Sequence, residues 1–278
     1  MIILRSPENQ LDQATIIYGI RSDKYPNLRC YGVIITASCD IAQQKVSKLY
    51  YLLAIDAKEW FCSKFAYSQV YCSKIEGLQK KFYATAEKYN LNADSLLCFS
   101  KEEVTHIIEE EISRKEQREK ILSQYNDLLL YSGPNISDEQ IKKAIKSDTN
   151  PVVEFLSRVG RGEVLHYYYL PETAYQKNEV RHKGLIVDLQ EIGHVTLSDA
   201  LKIQTTGIDY LALPEDPLLR ERLKSNFWLE SEDDFIAIEG NIESPWREHL
   251  MQRFSHGFIR IGLDGATKTD YENLICDI

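Results

Sequence analysis

Apolar positions along this chain change their rhythm twice. Up to about residue 57 they come in unbroken runs of strand length: Ala14-Thr15-Ile16-Ile17-Tyr18-Gly19-Ile20, Tyr31-Gly32-Val33-Ile34-Ile35-Thr36-Ala37 and Val46-Ser47-Lys48-Leu49-Tyr50-Tyr51-Leu52-Leu53-Ala54-Ile55. Runs of this kind read as buried strands. The middle run stops abruptly in Ser38-Cys39-Asp40, which predicts a central strand that delivers three polar side chains to its C-terminal end.

From Lys58 the rhythm becomes helical. Ile75, Leu78, Phe82, Ala86 and Tyr89 recur at steps of three and four and share one helix face. Ser100-Lys101-Glu102-Glu103 is a capping-box sequence, and predicts a longer helix whose apolar face runs from Val104, Ile107, Ile108 and Ile112 to Ile121, Leu122, Tyr125, Leu128 and Leu129. The charged run from Glu109 to Lys120 reads as its solvated face. Ser137-Asp138-Glu139-Gln140 opens another helix, and Asn150-Pro151 starts one more that Gly160 ends.

Strand-like runs then return at Glu163 to Leu170 (closed by Pro171), Gly184 to Leu189, Ile192 to Leu197, and Ile208 to Leu213 (halted by Pro214). Leu218, Leu219, Arg222 and Leu223 make a short helical face, Glu230 to Asp234 an acidic loop, and Ser244-Pro245 starts a last helix striped with Trp246, Leu250, Phe254 and Phe258. Strands, a helical block, more strands and a terminal helix indicate an α+β fold. The expected form is a small curled antiparallel sheet or SH3-like barrel with a helical insertion and a C-terminal helix. The predicted divisions are 1–57 for the first half of the β unit, 58–160 for the insertion and 161–278 for the second half.

Composition narrows the function classes. With 44% hydrophobic and 27% charged residues, the 278-residue chain has the make-up of a folded soluble protein. A net charge of -9 argues against extended DNA binding driven by phosphate neutralisation. The start, from Met1 to Glu8, has too short an apolar run for a signal peptide, and no stretch nears the roughly 18 apolar residues of a membrane span, so a cytoplasmic location is expected. Cys30, Cys39, Cys62, Cys72, Cys98 and Cys276 are scattered, with no Cys-x-x-Cys pair and no His partner at zinc-finger spacing, which predicts reduced thiols and no metal site. No phosphate-binding loop, dinucleotide fingerprint or His-Glu-x-x-His sequence occurs, so no cofactor is expected.

The chemistry-bearing candidates gather around the central strand. Ser38, Cys39 and Asp40 have the side chains of a nucleophile or acid-base site, although Asp40 opposes ionisation of the neighbouring thiol, and Cys39 can equally pack while Asp40 anchors a turn. Arg21, Lys24, Arg29 and Lys45 flank that strand in sequence and could form a local basic rim for an anion such as RNA, or be solvated loop charge. His166, His182, His194 and His256 are the available bases, none within a recognised motif. Tyr167 and Tyr169 share one side of their strand and Tyr168 takes the other, a pattern better suited to core packing than to base stacking.

An apolar strand led by Arg29 and ending Val33-Ile34-Ile35-Thr36, a second apolar strand, the later Gly184-Leu185-Ile186-Val187-Asp188-Leu189 and a terminal amphipathic helix together resemble the order in PemK/MazF-like toxin barrels. That resemblance implies an RNA endonuclease using Arg29 and Thr36 or Ser38, with Asp40 beside them. The chain has no Gly-His-Glu loop of the kind typical of that family. Ser38-Cys39-Asp40-Ile41 after such a strand, with Gln252-Arg253-Phe254 and Arg260-Ile261-Gly262-Leu263, also resembles uncharacterised bacterial proteins encoded near phage-defence or restriction genes. The leading expectation is therefore a binding component of a bacterial defence or toxin-type system, engaging a protein partner or a second copy through the helical insertion. An RNA endonuclease is the alternative, and a thiol-dependent enzyme built on Cys39 a third.

Overall fold

A computed structural model describes residues 2–5, 11–132, 137–174 and 180–261. The chain divides into two compact units, Met1–Glu59 with Arg158–Ile278, and Trp60–Ser157. The elements in chain order are β1 (Ile2–Arg5), β2 (Thr15–Ile20), β3 (Cys30–Ile34), α1 (Ser38–Ala42), β4 (Lys48–Asp56) and α2 (Ala57–Phe61). There follow α3 (Lys64–Val70), α4 (Cys72–Lys88), α5 (Ala93–Cys98), α6 (Lys101–Glu111), α7 (Lys115–Ser132), α8 (Asp138–Ser147) and α9 (Asn150–Arg161). The chain then returns to strands with β5 (Tyr167–Ala174), β6 (Val180–Thr196), α10 (Leu197–Thr205), β7 (Ile208–Asp209), α11 (Pro217–Asn226), β8 (Phe235–Ile242) and α12 (Trp246–Ile261). The fold is α+β.

In the first unit the strands run in the order β1-β5-β6-β4-β3-β2-β8-β7. Every neighbouring pair from β5 to β8 is antiparallel. β1 also pairs with β8, so it lies between β5 and β8, with two residue pairs to each, parallel to the first and antiparallel to the second. The curled-sheet form of the expectation is what is found. An SH3-like barrel is not, because the ends of the antiparallel run meet only across β1 and one of its ladders is parallel. β3 and β4 sit in the middle, and all five residues of β3 are buried, as its unbroken apolar run requires. One face of the sheet carries Ile16, Tyr31, Val33, Leu52, Ala54, Tyr168, Leu170, Leu185 and Val187, packed with Leu250, Trp246, Met251 and Phe254 of α12.

Several elements depart from the sequence reading. Gly184 to Leu189 and Ile192 to Leu197 are parts of one strand, β6, interrupted by a bulge where Leu52 pairs with Ile192 and Leu53 with Asp188. β8 was not expected, since an acidic loop precedes it, yet its alternating burial makes it a partner of β2. Ile208 to Leu213 gives only two strand residues before a 3-10 turn at Tyr210 to Ala212.

The second unit has its own core. Phe82 and Ala86 of α4, Leu96 of α5, Val104 and Ile108 of α6, and Ile121, Tyr125 and Leu128 of α7 are buried together. The capping boxes at Ser100 and Ser137 form as their sequences dictate. The single long helix expected from Ser100 to Leu129 is instead two: α6 ends at Glu111, and Arg118 donates to the carbonyls of Ile112 and Ser113 in the connecting turn. Among the described residues, no helix is long and apolar enough to cross a membrane.

Candidate functional site

The sequence candidates fall at two ends of β3. Arg29 immediately precedes the strand; Thr36, Ser38, Cys39 and Asp40 follow it. Five residues at about 3.3 Å each separate the two sets by roughly 16 Å of strand, so no single small site holds both. The expected strand ends early, at Ile34, and the polar cluster forms the first turn of α1 rather than a strand terminus.

At that end Thr36 is occupied structurally: its Oγ1 accepts from the Tyr50 amide at 2.8 Å, extending the join between β3 and β4. Ser38 and Cys39 are exposed, and Asp40 is half-buried. The Cys39 thiol donates to Asp40 Oδ1 at 3.7 Å. Asp40 does not cap the helix with its carboxylate, since Ala37 is the N-cap residue; its backbone carbonyl accepts from the Lys45 amide at 3.1 Å. Lys45 is exposed at this end and takes no part in the rim expected with Arg21, Lys24 and Arg29.

The other end is a network of cations paired with carboxylates, two of which are buried. Asp234, 2% exposed, accepts from Arg29 Nη2 and from the amides of Glu230 and Ser231, both at 2.7 Å. Arg29 Nη1 also donates to the Tyr18 hydroxyl, and the guanidinium lies 5.5 Å from the Tyr18 ring and 5.9 Å from the Trp228 ring. Arg21 pairs with Glu230 and lies 5.9 Å from the same Trp228 ring. Lys24 donates to the fully buried Asp188 at 2.7 Å and pairs with Glu191 at 3.2 Å, while the Tyr25 hydroxyl donates to Asp188 at 2.8 Å. The basic loop is therefore ion-paired to the sheet rather than presented as free charge.

The electrostatics follow. Burial pushes the Asp234 carboxyl up, but the Ser231 and Glu230 amides and Arg29 outweigh it, leaving its pKa below the ordinary carboxylate value. Burial lowers Lys24, and Asp188 and Glu191 more than compensate, so its pKa is raised. Glu59 of α2 has a raised pKa because of burial and then the Asp56 charge, partly offset by Arg29. The buried Cys30 thiol is pushed up to about 12 by burial and by Glu59, which makes it inert at neutral pH. A third braced carboxylate, Asp199 of α10, accepts both Arg222 Nη1 and Nη2, at 2.6 and 3.0 Å, and the Thr196 hydroxyl at 2.7 Å. Burial raises Asp199, and its partners Arg222 and Thr196 turn the net shift downward.

The histidines do not meet the candidate polar cluster in any described contact. His166 is exposed ahead of β5, with its carbonyl accepting from the Leu189 amide; His256 is exposed on α12. His194 is exposed and its ring lies 6.2 Å from that of Tyr50. The side chain of His182, the segment from Gly262 to Leu263 and Cys276 lie outside the described residues. Tyr167 and Tyr168 are core residues, and Tyr168 shares a 2.9 Å hydrogen bond with His249 Nδ1, a pairing across 81 residues that sequence does not signal. Among the described residues, no three His, Cys, Asp or Glu side chains come together as a metal site.

Sequence reasoning missed Asp188, Asp199, Asp234 and Trp228. Asp188 carried a signal, a lone carboxylate in the apolar run Gly184 to Leu189 that demands a buried partner. Asp234 carried none, being one of several acids between Glu230 and Asp234. No family model, curated protein or solved structure matches this chain.

Proposed function

We propose that this chain is a binding component whose helical unit engages a protein partner, rather than an RNA endonuclease of PemK/MazF type or a thiol enzyme. The carrying observation is the separation of Arg29 from Thr36, Ser38 and Asp40 across β3, with Arg29 committed to Asp234 and Tyr18. Support for a partner surface comes from α6. Phe99, 45% exposed, lines a shallow hollow with Glu103, His106 and Ile107, and Glu102, Glu109, Glu110 and Glu111 lie on the same helix. An apolar hollow beside clustered carboxylates suits a basic amphipathic segment of another protein. The setting in a bacterial defence or toxin-type system enters this proposal through the sequence resemblance alone.

Two experiments test it. Expression of the full chain in bacteria should leave growth and cellular RNA intact; growth arrest with RNA cleavage that disappears in Ser38→Ala or Asp40→Ala overturns the binding reading. A synthetic amphipathic helix of leucine and lysine should bind the purified chain in a titration calorimeter, and Phe99→Glu should weaken it by about tenfold or more. Equal binding by that variant removes α6 as the partner surface.

A further inference from the structure

The bulge divides β6 into two stretches with different company. Its first stretch, up to Asp188, pairs with β5 on one side and β4 on the other. Beyond Leu189, whose amide donates to the His166 carbonyl, β6 pairs with β4 alone, from Ile192 opposite Leu52 to Thr196 opposite Lys48. The orientation of the free backbone groups follows from β4. The Tyr50 carbonyl accepts from Ile35 and the Tyr50 amide donates to Thr36, so Tyr50 turns its backbone toward β3. Alternation then directs Leu49 and Tyr51 toward Val195 and Gly193 of β6. The amides and carbonyls of Ile192 and His194 consequently point to the open side, and among the described residues they have no hydrogen-bond partner.

This edge carries a bulge at its start and one charge, Glu191, which is paired with Lys24, but beyond them it lacks the usual protection. Edge strands are blunted by Lys or Pro, and Gln190-Glu191-Ile192-Gly193-His194-Val195-Thr196 contains neither. On the face shared with buried Leu52, the residues Tyr50 (50% exposed), Ile192 (44% exposed) and His194 are uncovered. The stretch is also self-complementary. Two copies placed antiparallel about a two-fold axis at Gly193 set Ile192 of each opposite His194 of the other, so that the four free groups on each copy exchange four hydrogen bonds. Glu191 then faces Val195, and no like charges oppose one another. Gly193 puts no side chain at the axis, and it cannot readily carry one: a Cβ there would lie 2.3 Å from the Tyr51 ring.

We infer that the Ile192 to Val195 edge of β6 is a homodimer interface, in which two copies of this chain join their sheets through that antiparallel ladder. The occupant is a second copy, not the basic segment proposed for α6, so the two readings fail separately. Light scattering on the full chain across a concentration series should give twice the chain mass at the upper end. Hydrogen exchange should show protection of the Ile192 and His194 amides that grows with concentration. Ile192→Lys places a charge on the exposed face of the edge and should weaken the dimer by about tenfold or more while leaving the circular dichroism spectrum unchanged. His194→Lys is the second variant should the first fail to fold. A chain that is monomeric throughout overturns the inference and leaves the edge to a strand of some other protein. A dimer whose Ile192 and His194 amides exchange freely, or that both lysine variants leave intact, overturns it in favour of another surface.

Discussion

The two ends of β3 look alike in sequence and differ in physics. Both carry polar residues beside a buried strand, the basic loop before it as a candidate rim for an anion and the Ser38 to Asp40 cluster after it as a candidate reactive site. In the fold that loop is the more constrained end: Arg21, Lys24 and Arg29 each close on a carboxylate, two of which, Asp188 and Asp234, are buried. The end with Ser38 and Cys39 is open to solvent and carries few structural obligations beyond Thr36. A buried carboxylate has to be paired, so its partner cation is held in place before any ligand arrives. Charge that stands unpaired in a sequence is thus bracing wherever the opposite charge is inaccessible.

Substitutions can break or sharpen this contrast. The largest effect is expected at Asp234→Ala, which strands Arg29 and two backbone amides; urea unfolding should register a loss of about 3 kcal/mol. Asp188→Ala removes the partner of Lys24 and of the Tyr25 hydroxyl and should cost about 2 kcal/mol in the same assay. Acid comes next. Asp234 and Asp199 have folded pKa values below their unfolded ones, so their contribution is complete above the unfolded carboxylate value of about 3.9 and is lost as the pH falls through the folded values. Stability measured from neutrality down to strongly acid solution should therefore fall most steeply below about pH 4, and Asp234→Asn should flatten that decline. At the opposite end, Ser38→Ala, Cys39→Ser and Asp40→Ala should each stay within about 0.5 kcal/mol of the parent. A larger loss from any of them would show that this end, too, is structural.

What was legible in the sequence is what local physics decides. Unbroken apolar runs gave β2, β3 and β4; hydroxyl caps followed by Glu or Gln gave the starts of α6 and α8; and the switch to a helical period marked the insertion. What was illegible depended on partners remote in the chain. The break between α6 and α7 hides inside a charged run whose composition fits one helix as well as two. The turn is set by Arg118 folding back onto Ile112 and Ser113. β8 did carry a signal, the alternation Ile236, Ile238, Gly240, Ile242, overshadowed by the acids before it. At the candidate site, Arg29 was found but its role was not, because Asp234 lies 205 residues away.

The central claim, that the basic loop braces the sheet, is tested most directly by a double-mutant cycle on Arg29→Gln and Asp234→Asn, read by urea unfolding. Bracing predicts that the two losses fail to add, with a coupling of about 1 to 3 kcal/mol. Losses that add to within about 0.5 kcal/mol would contradict it and return Arg29 to the pool of cations free to bind an anionic ligand.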